Sequence, residues 1–93
     1  MTEFVVERRM PNVGSADLAV LQEALIMACD RLSSRGVRVR CVGSAFLPGQ
    51  ARLLTVFEAE SAEAVRTVNE NVHAPFYSLE AAMRIHPAPS PGV

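Results

Sequence analysis

The chain has 93 residues, 49% of them hydrophobic, and a formal net charge of -1. That is one small domain with enough apolar residues for a core. A charge this close to zero gives no field to draw in nucleic acid or an anionic membrane.

Glu3 to Met10 reads as a strand, with Phe4, Val6 and Arg8 on one side and Val5, Glu7 and Arg9 on the other. Pro11, Asn12 and Gly14 break it. Ser15 is suited to cap a helix, with Asp17 in its first turn. Leu18, Leu21, Leu25, Cys29 and Leu32 form the main apolar stripe; Val20, Ile26 and Met27 widen it beyond one face. Arg31, Arg35 and Gly36 suit the helix end.

Val37 to Phe46 alternates as a second strand, with Val37, Val39 and Cys41 opposite Arg38, Arg40 and Val42. Gly43 marks a bulge or a close approach. Pro48 and Gly49 fit the centre of a type II turn. Leu53, Leu54, Val56 and Phe57 make a third strand that is apolar on both faces, so alternation does not assign its inner side. Ser61 caps a second helix, with Glu63 in its first turn and Ala64, Val65, Val68 and Val72 on one face. Ala74 and Pro75 stop it, and His73 suits its negative end. Leu79 to His86 is the fourth strand, with Met83 and Ile85 opposite Arg84 and His86. Residues 87–93 are proline-rich and are expected to be a flexible tail on a single domain spanning 1–86.

The order β-α-β-β-α-β is that of a ferredoxin-like α+β fold: an antiparallel four-stranded sheet with two helices on one face. The first and third strands are expected to lie centrally and in parallel, with the fourth and second outside. The uncovered face would then carry Val5, Glu7, Arg9, Arg38, Arg40, Val42, Ser44, Ala82, Arg84 and His86. A second copy packed sheet to sheet would cover that face, so a homodimer is expected.

Cys29 and Cys41 fall at apolar positions and read as small buried hydrophobes, not as a disulfide framework. Met1 to Met10 mixes acids with apolar residues, unlike a leader peptide. No apolar run approaches the ~20 residues of a membrane span. A cytoplasmic location, with no membrane partner, is the expectation. All nine basic residues are arginine, as GC-rich coding favours.

Three short stretches resemble a family of small bacterial ferredoxin-like proteins of unknown function associated with nickel binding. Gly43-Ser44-Ala45-Phe46 stands where that family tends to have His-Ser-Tyr-Val. Thr55-Val56-Phe57-Glu58-Ala59-Glu60 stands where it has Cys-x-Tyr-x-Ala-Pro. Glu63-Ala64-Val65-Arg66 matches the start of its second helix, but Thr67 and Val68 follow where Glu-His is common. The resemblance implies the fold and raises nickel binding; the missing histidines and cysteine oppose that metal.

Only His73 and His86 remain as histidines, so no metal site and no cofactor is expected. Ser44 has no base beside it in sequence, no glycine-rich phosphate loop is present, and the basic-aromatic signature of an RNA-binding sheet is missing. What remains is a polar patch on the open face. Glu7 and His73 are the candidate proton-transfer groups; Arg40, Ser44, Thr55, Phe57, Tyr77 and Arg84 are the candidate ligand contacts. Arg40 and Arg84 are the expected partners of Glu7. These residues suit a small apolar or carboxylate-bearing molecule, bound beside the sheet of a dimer. The alternatives are a cofactor-independent cyclase, isomerase or oxygenase acting on an apolar metabolite, and a nickel-binding protein.

Overall fold

A computed structural model of the chain describes residues 1–85. The proline-rich segment expected to be a tail, and His86, lie outside the described residues. The elements are β1 (Thr2–Arg9), α1 (Ser15–Ser33), β2 (Val39–Leu47), a 3-10 turn (Pro48–Gln50), β3 (Arg52–Ala59), α2 (Ala62–Asn71) and β4 (Ser78–Ala82). The sheet runs β2-β3-β1-β4 with every neighbouring pair antiparallel. The fold is ferredoxin-like. β1 and β3 are central, but they are antiparallel, not parallel. The crossover through α1 returns β2 parallel to β1, and the tight turn after β2 reverses the chain, so β3 must oppose β1.

The core forms where the helices cover one face of the sheet. Phe4 and Val6 of β1 and Leu53, Phe57 and Ala59 of β3 are buried with Leu25, Ala28, Cys29 and Leu32 of α1. Val65 and Val68 of α2 close the other side, with no exposed surface. The α1 stripe is as expected, and Val20, Ile26 and Met27 are exposed beyond it. Gly14, not Ser15, is the N-cap of α1: the Asp17 carboxylate accepts the Gly14 N–H at 3.0 Å. Ser61 caps α2 as expected, its Oγ accepting the Ala64 N–H at 3.2 Å.

Both helices end in the same way. The chain leaves α1 through Gly36 at φ 89°; the Gly36 and Val37 N–H groups donate back to the carbonyls of Ser33 and Leu32. It leaves α2 through His73 at φ 54°; the His73 and Ala74 N–H groups donate back to Glu70 and Asn69. This is the hydrogen-bond pattern of a Schellman cap, with histidine in the left-handed position that glycine usually fills.

Three local expectations are corrected. The β2–β3 link is a 3-10 turn with Ala51 as its left-handed residue, at φ 51°, in place of a type II turn centred on Pro48 and Gly49. β4 ends at Ala82, so Met83 and Ile85 are exposed and Arg84 lies past the strand. Last, the register slips by one residue between Cys41 and Gly43. This bulge exchanges the two sides of β2 beyond it. Arg40 faces outward beside Glu58, but Ser44 pairs with Thr55 and turns to the helix side. Nothing approaches Gly43 closely; its role is the bulge.

Candidate functional site

The bulge shapes one of the clefts of the surface. With Ser44 and Phe46 turned to the helix side, a cleft of about 360 Å³ opens between the first half of α1 and the β2–β3 edge. Its walls are Leu18, Ala19, Phe46 and Leu53, and its polar groups are Gln22 and Ser44. Ser44 Oγ lies 2.6 Å from Gln22 Oε1 and 2.9 Å from Thr55 Oγ1. Thr55 is fully buried, so this pair anchors the chain of hydroxyls to the sheet. Gln22 Nε2 donates to Cys41 Sγ at 3.4 Å. Sulfur is a weak acceptor, so that N–H is easily given up to a better oxygen.

Two of the expected ligand contacts, Ser44 and Thr55, meet on the helix side and not on the open face, but only Ser44 lines the cleft; Thr55 has no exposed surface and is not a ligand contact. Phe57 does not join them. It has no exposed surface and packs in the core, where no ligand reaches it. Gln22 was not legible as a site residue: it lies on the helix, and only the bulge brings Ser44 to it.

The open face carries the other candidates as ion pairs. Glu3 and Glu58 stand directly opposite each other on β1 and β3. Arg84 holds Glu3 at 2.8 Å and Arg40 holds Glu58 at 2.7 Å, so two central carboxylates lie side by side with an arginine flanking each. The arginines relieve a like-charge contact that the register imposes. Arg40 and Arg84 are thus spoken for, and neither is the partner of Glu7. That partner is Arg52, whose Nη2 donates to Glu7 Oε2 at 2.7 Å. The Tyr77 hydroxyl donates to the same oxygen at 2.6 Å. Register explains the correction: Glu7 faces Leu54, which places Arg52 on the neighbouring diagonal of the same face. The Tyr77 hydrogen bond and then Arg52 hold the Glu7 carboxyl below its ordinary value. Between the two charged groups lie Val5, Leu54 and Val56.

His73 lies at the exit of α2 on the helix side of the sheet, beside Arg8, whereas the Glu7 side chain faces outward. Glu7 and His73 accordingly do not form an acid–base pair. Instead, His73 lies at a cleft of about 250 Å³ between the helices, together with Arg8, Arg9, Met10, Leu21, Val72, Ala74 and Pro75. Arg8 is 3% exposed, on the inner side of β1. Its Nη1 donates to the Ala74 carbonyl at 2.9 Å and its Nη2 donates to Asn69 Oδ1. Burial pushes its guanidinium below its ordinary value, which still leaves it charged at neutral pH. Alternation places Arg8 inward, but nothing in the pattern marks a buried cation.

Among the described residues, the donor set does not fit a nickel site. Gly43 and Val68 stand at the family's histidine positions, and Val68 is fully buried in the core. Among the described residues, no three His, Cys, Asp or Glu side chains converge. Burial pushes the Cys29 thiol up to about 12, and it raises Cys41 as well, so neither is set up as a thiolate ligand or nucleophile. Among the described residues, no helix is long and apolar enough to cross a membrane.

No family model matches the chain, and no curated protein matches it. The fold is similar to that of a solved structure, SCO4226 from Streptomyces coelicolor A3(2), with a TM-score of 0.78. The match covers 90% of this chain and 99% of that one at 19% identity. A likeness at that identity shows the fold alone.

Proposed function

We propose that this protein binds a small, mainly apolar molecule in the cleft between α1 and the β2–β3 edge. The observation that carries the reading is the Gln22–Ser44–Thr55 hydrogen-bond chain, whose Gln22 and Ser44 members line an apolar-walled concavity. Apolar walls with a few fixed polar groups are the ordinary make-up of a small-molecule site, and ~300 Å³ is the lower end of the usual size. Leu18, Phe46 and Leu53 supply the apolar contact. Ser44 Oγ and the weakly held Gln22 amide orient one polar group of the ligand.

The open face supports the dimer that belongs to this reading. Val5, Leu54 and Val56 lie between charged groups that are already paired on the same chain. A second copy can cover that belt provided that Glu80, which stands opposite Val5 and has no ion-pair partner among the described residues, stays at its rim or is paired by the second copy. Light scattering at micromolar concentration should give twice the chain mass; a monomer at every concentration contradicts the dimer.

The binding test uses N-phenyl-1-naphthylamine, a neutral apolar dye whose fluorescence rises in a dry site. It should saturate at one per chain. Ala19→Phe, which fills the cleft from an exposed wall position, should abolish that binding and leave thermal stability unchanged. Binding that survives Ala19→Phe, or that never saturates, overturns the reading.

A further inference from the structure

We infer that the interhelix cleft at Arg8 is a second binding site, separate from the α1–β2 cleft, and that it takes the carboxylate of a small apolar acid. Three arginines of the open face have a carboxylate at hand: Arg40, Arg52 and Arg84 hold Glu58, Glu7 and Glu3 at 2.7 to 2.8 Å. Arg8 is the most deeply buried of the four, and its two hydrogen-bond partners are the neutral oxygens of Asn69 and Ala74. Among the described residues no carboxylate lies within ion-pair distance of it. Its Nε is shielded from solvent and has no hydrogen-bond partner.

A guanidinium has five N–H donors, and buried charges are ordinarily matched by an opposite charge. The partners that Arg8 does have fix its place without neutralising it. Asn69 is locked in turn: its Nδ2 donates to the Val65 carbonyl at 2.8 Å, which leaves Oδ1 facing Arg8. The Ala74 carbonyl is presented by the left-handed turn at His73. Two rigid elements thus hold an uncompensated cation at the wall of an open cleft.

The rest of the cleft sets the class of ligand. Met10, Leu21, Val72 and Pro75 are apolar, and Arg9 is the second cation beside them. One buried cation in apolar walls suits a monoanion with a hydrocarbon body. It does not suit a phosphate, which calls for a cluster of donors. About 250 Å³ accommodates a body the size of hexanoate.

The test compares hexanoate with hexanamide, its neutral isostere, on the whole chain. Hexanoate should bind saturably, one per chain, and raise the melting temperature; hexanamide should bind about tenfold more weakly or worse. Arg8→Met should abolish hexanoate binding. Should that variant not fold, Asn69→Asp serves in its place: it sets a carboxylate against Arg8 from within, so hexanoate binding should be lost while the weak binding of hexanamide stays. Ala19→Phe, which blocks the other cleft, should leave hexanoate binding intact. Equal affinity for acid and amide, no saturable binding of hexanoate, or binding that persists in Asn69→Asp overturns the inference. Loss of hexanoate binding in Ala19→Phe shows that the two clefts are not separate sites, and overturns it as well.

Discussion

The Asn69 amide and the Arg8 guanidinium are buried against each other across the α2–β1 contact, a neutral acceptor facing a full charge. Asn69 sits in the last turn of α2, where the apolar stripe of that helix would call for another valine or leucine. Replacing it with leucine keeps the branching and the number of side-chain heavy atoms and removes the acceptor. Asn69→Leu should cost about 1–3 kcal/mol in urea unfolding, because Arg8 Nη2 is left without a partner where water does not reach. The slope of the transition should not change. An unaltered midpoint would mean that Arg8 finds solvent when Asn69 is absent.

The two helix ends yield a second expectation. Gly36 adopts its left-handed conformation without steric cost, whereas His73 carries a Cβ in the same place. His73→Gly should therefore stabilise the fold by about 0.5–1 kcal/mol. His73→Ala, which keeps the Cβ, should give no such gain. Thermal melts of the two variants side by side decide it.

The Glu7 cluster makes stability depend on pH. Glu7 has a folded value below its unfolded one of 4.5, owing first to the Tyr77 hydrogen bond and then to Arg52. Its contribution is therefore fully present above the unfolded value and is lost as pH falls through the lowered folded value. Glu7→Gln should melt below the wild type at pH 7, and the two curves should converge in acid below about pH 4.5. The effect should be small and should weaken in high salt, since the cluster is partly open to solvent. A gap between the two proteins that does not begin to narrow as pH falls below 4.5 would show that the charge of Glu7 is not what stabilises the fold.

Element order, the α1 stripe, the Ser61 cap and the inward set Phe4, Val6 and Arg8 were all legible in the sequence. Each depends on local periodicity or on a residue whose chemistry fits one position. What was not legible depends on pairing. A single extra residue at the bulge sends Ser44 to the helix side, and alternation read along β2 alone carries on past Gly43 as if nothing had changed. The partner of Glu7 follows from the β1–β3 register, which no single strand contains. β3, apolar on both faces, gave no sign that Thr55 and Phe57 point inward while Leu54 and Val56 point out. The α1–β2 cleft shared the same fate, since Gln22 and Ser44 are joined only by tertiary structure.

Binding in the α1–β2 cleft is tested most directly by amide NMR of the labelled protein during titration with N-phenyl-1-naphthylamine. The shifts should cluster at Leu18, Ala19, Gln22, Ser44, Phe46 and Leu53, the residues that line the cleft, and should saturate together. Shifts confined to the open face at Val5, Leu54 and Val56, or no saturable shift at all, would contradict a small-molecule site between α1 and the sheet.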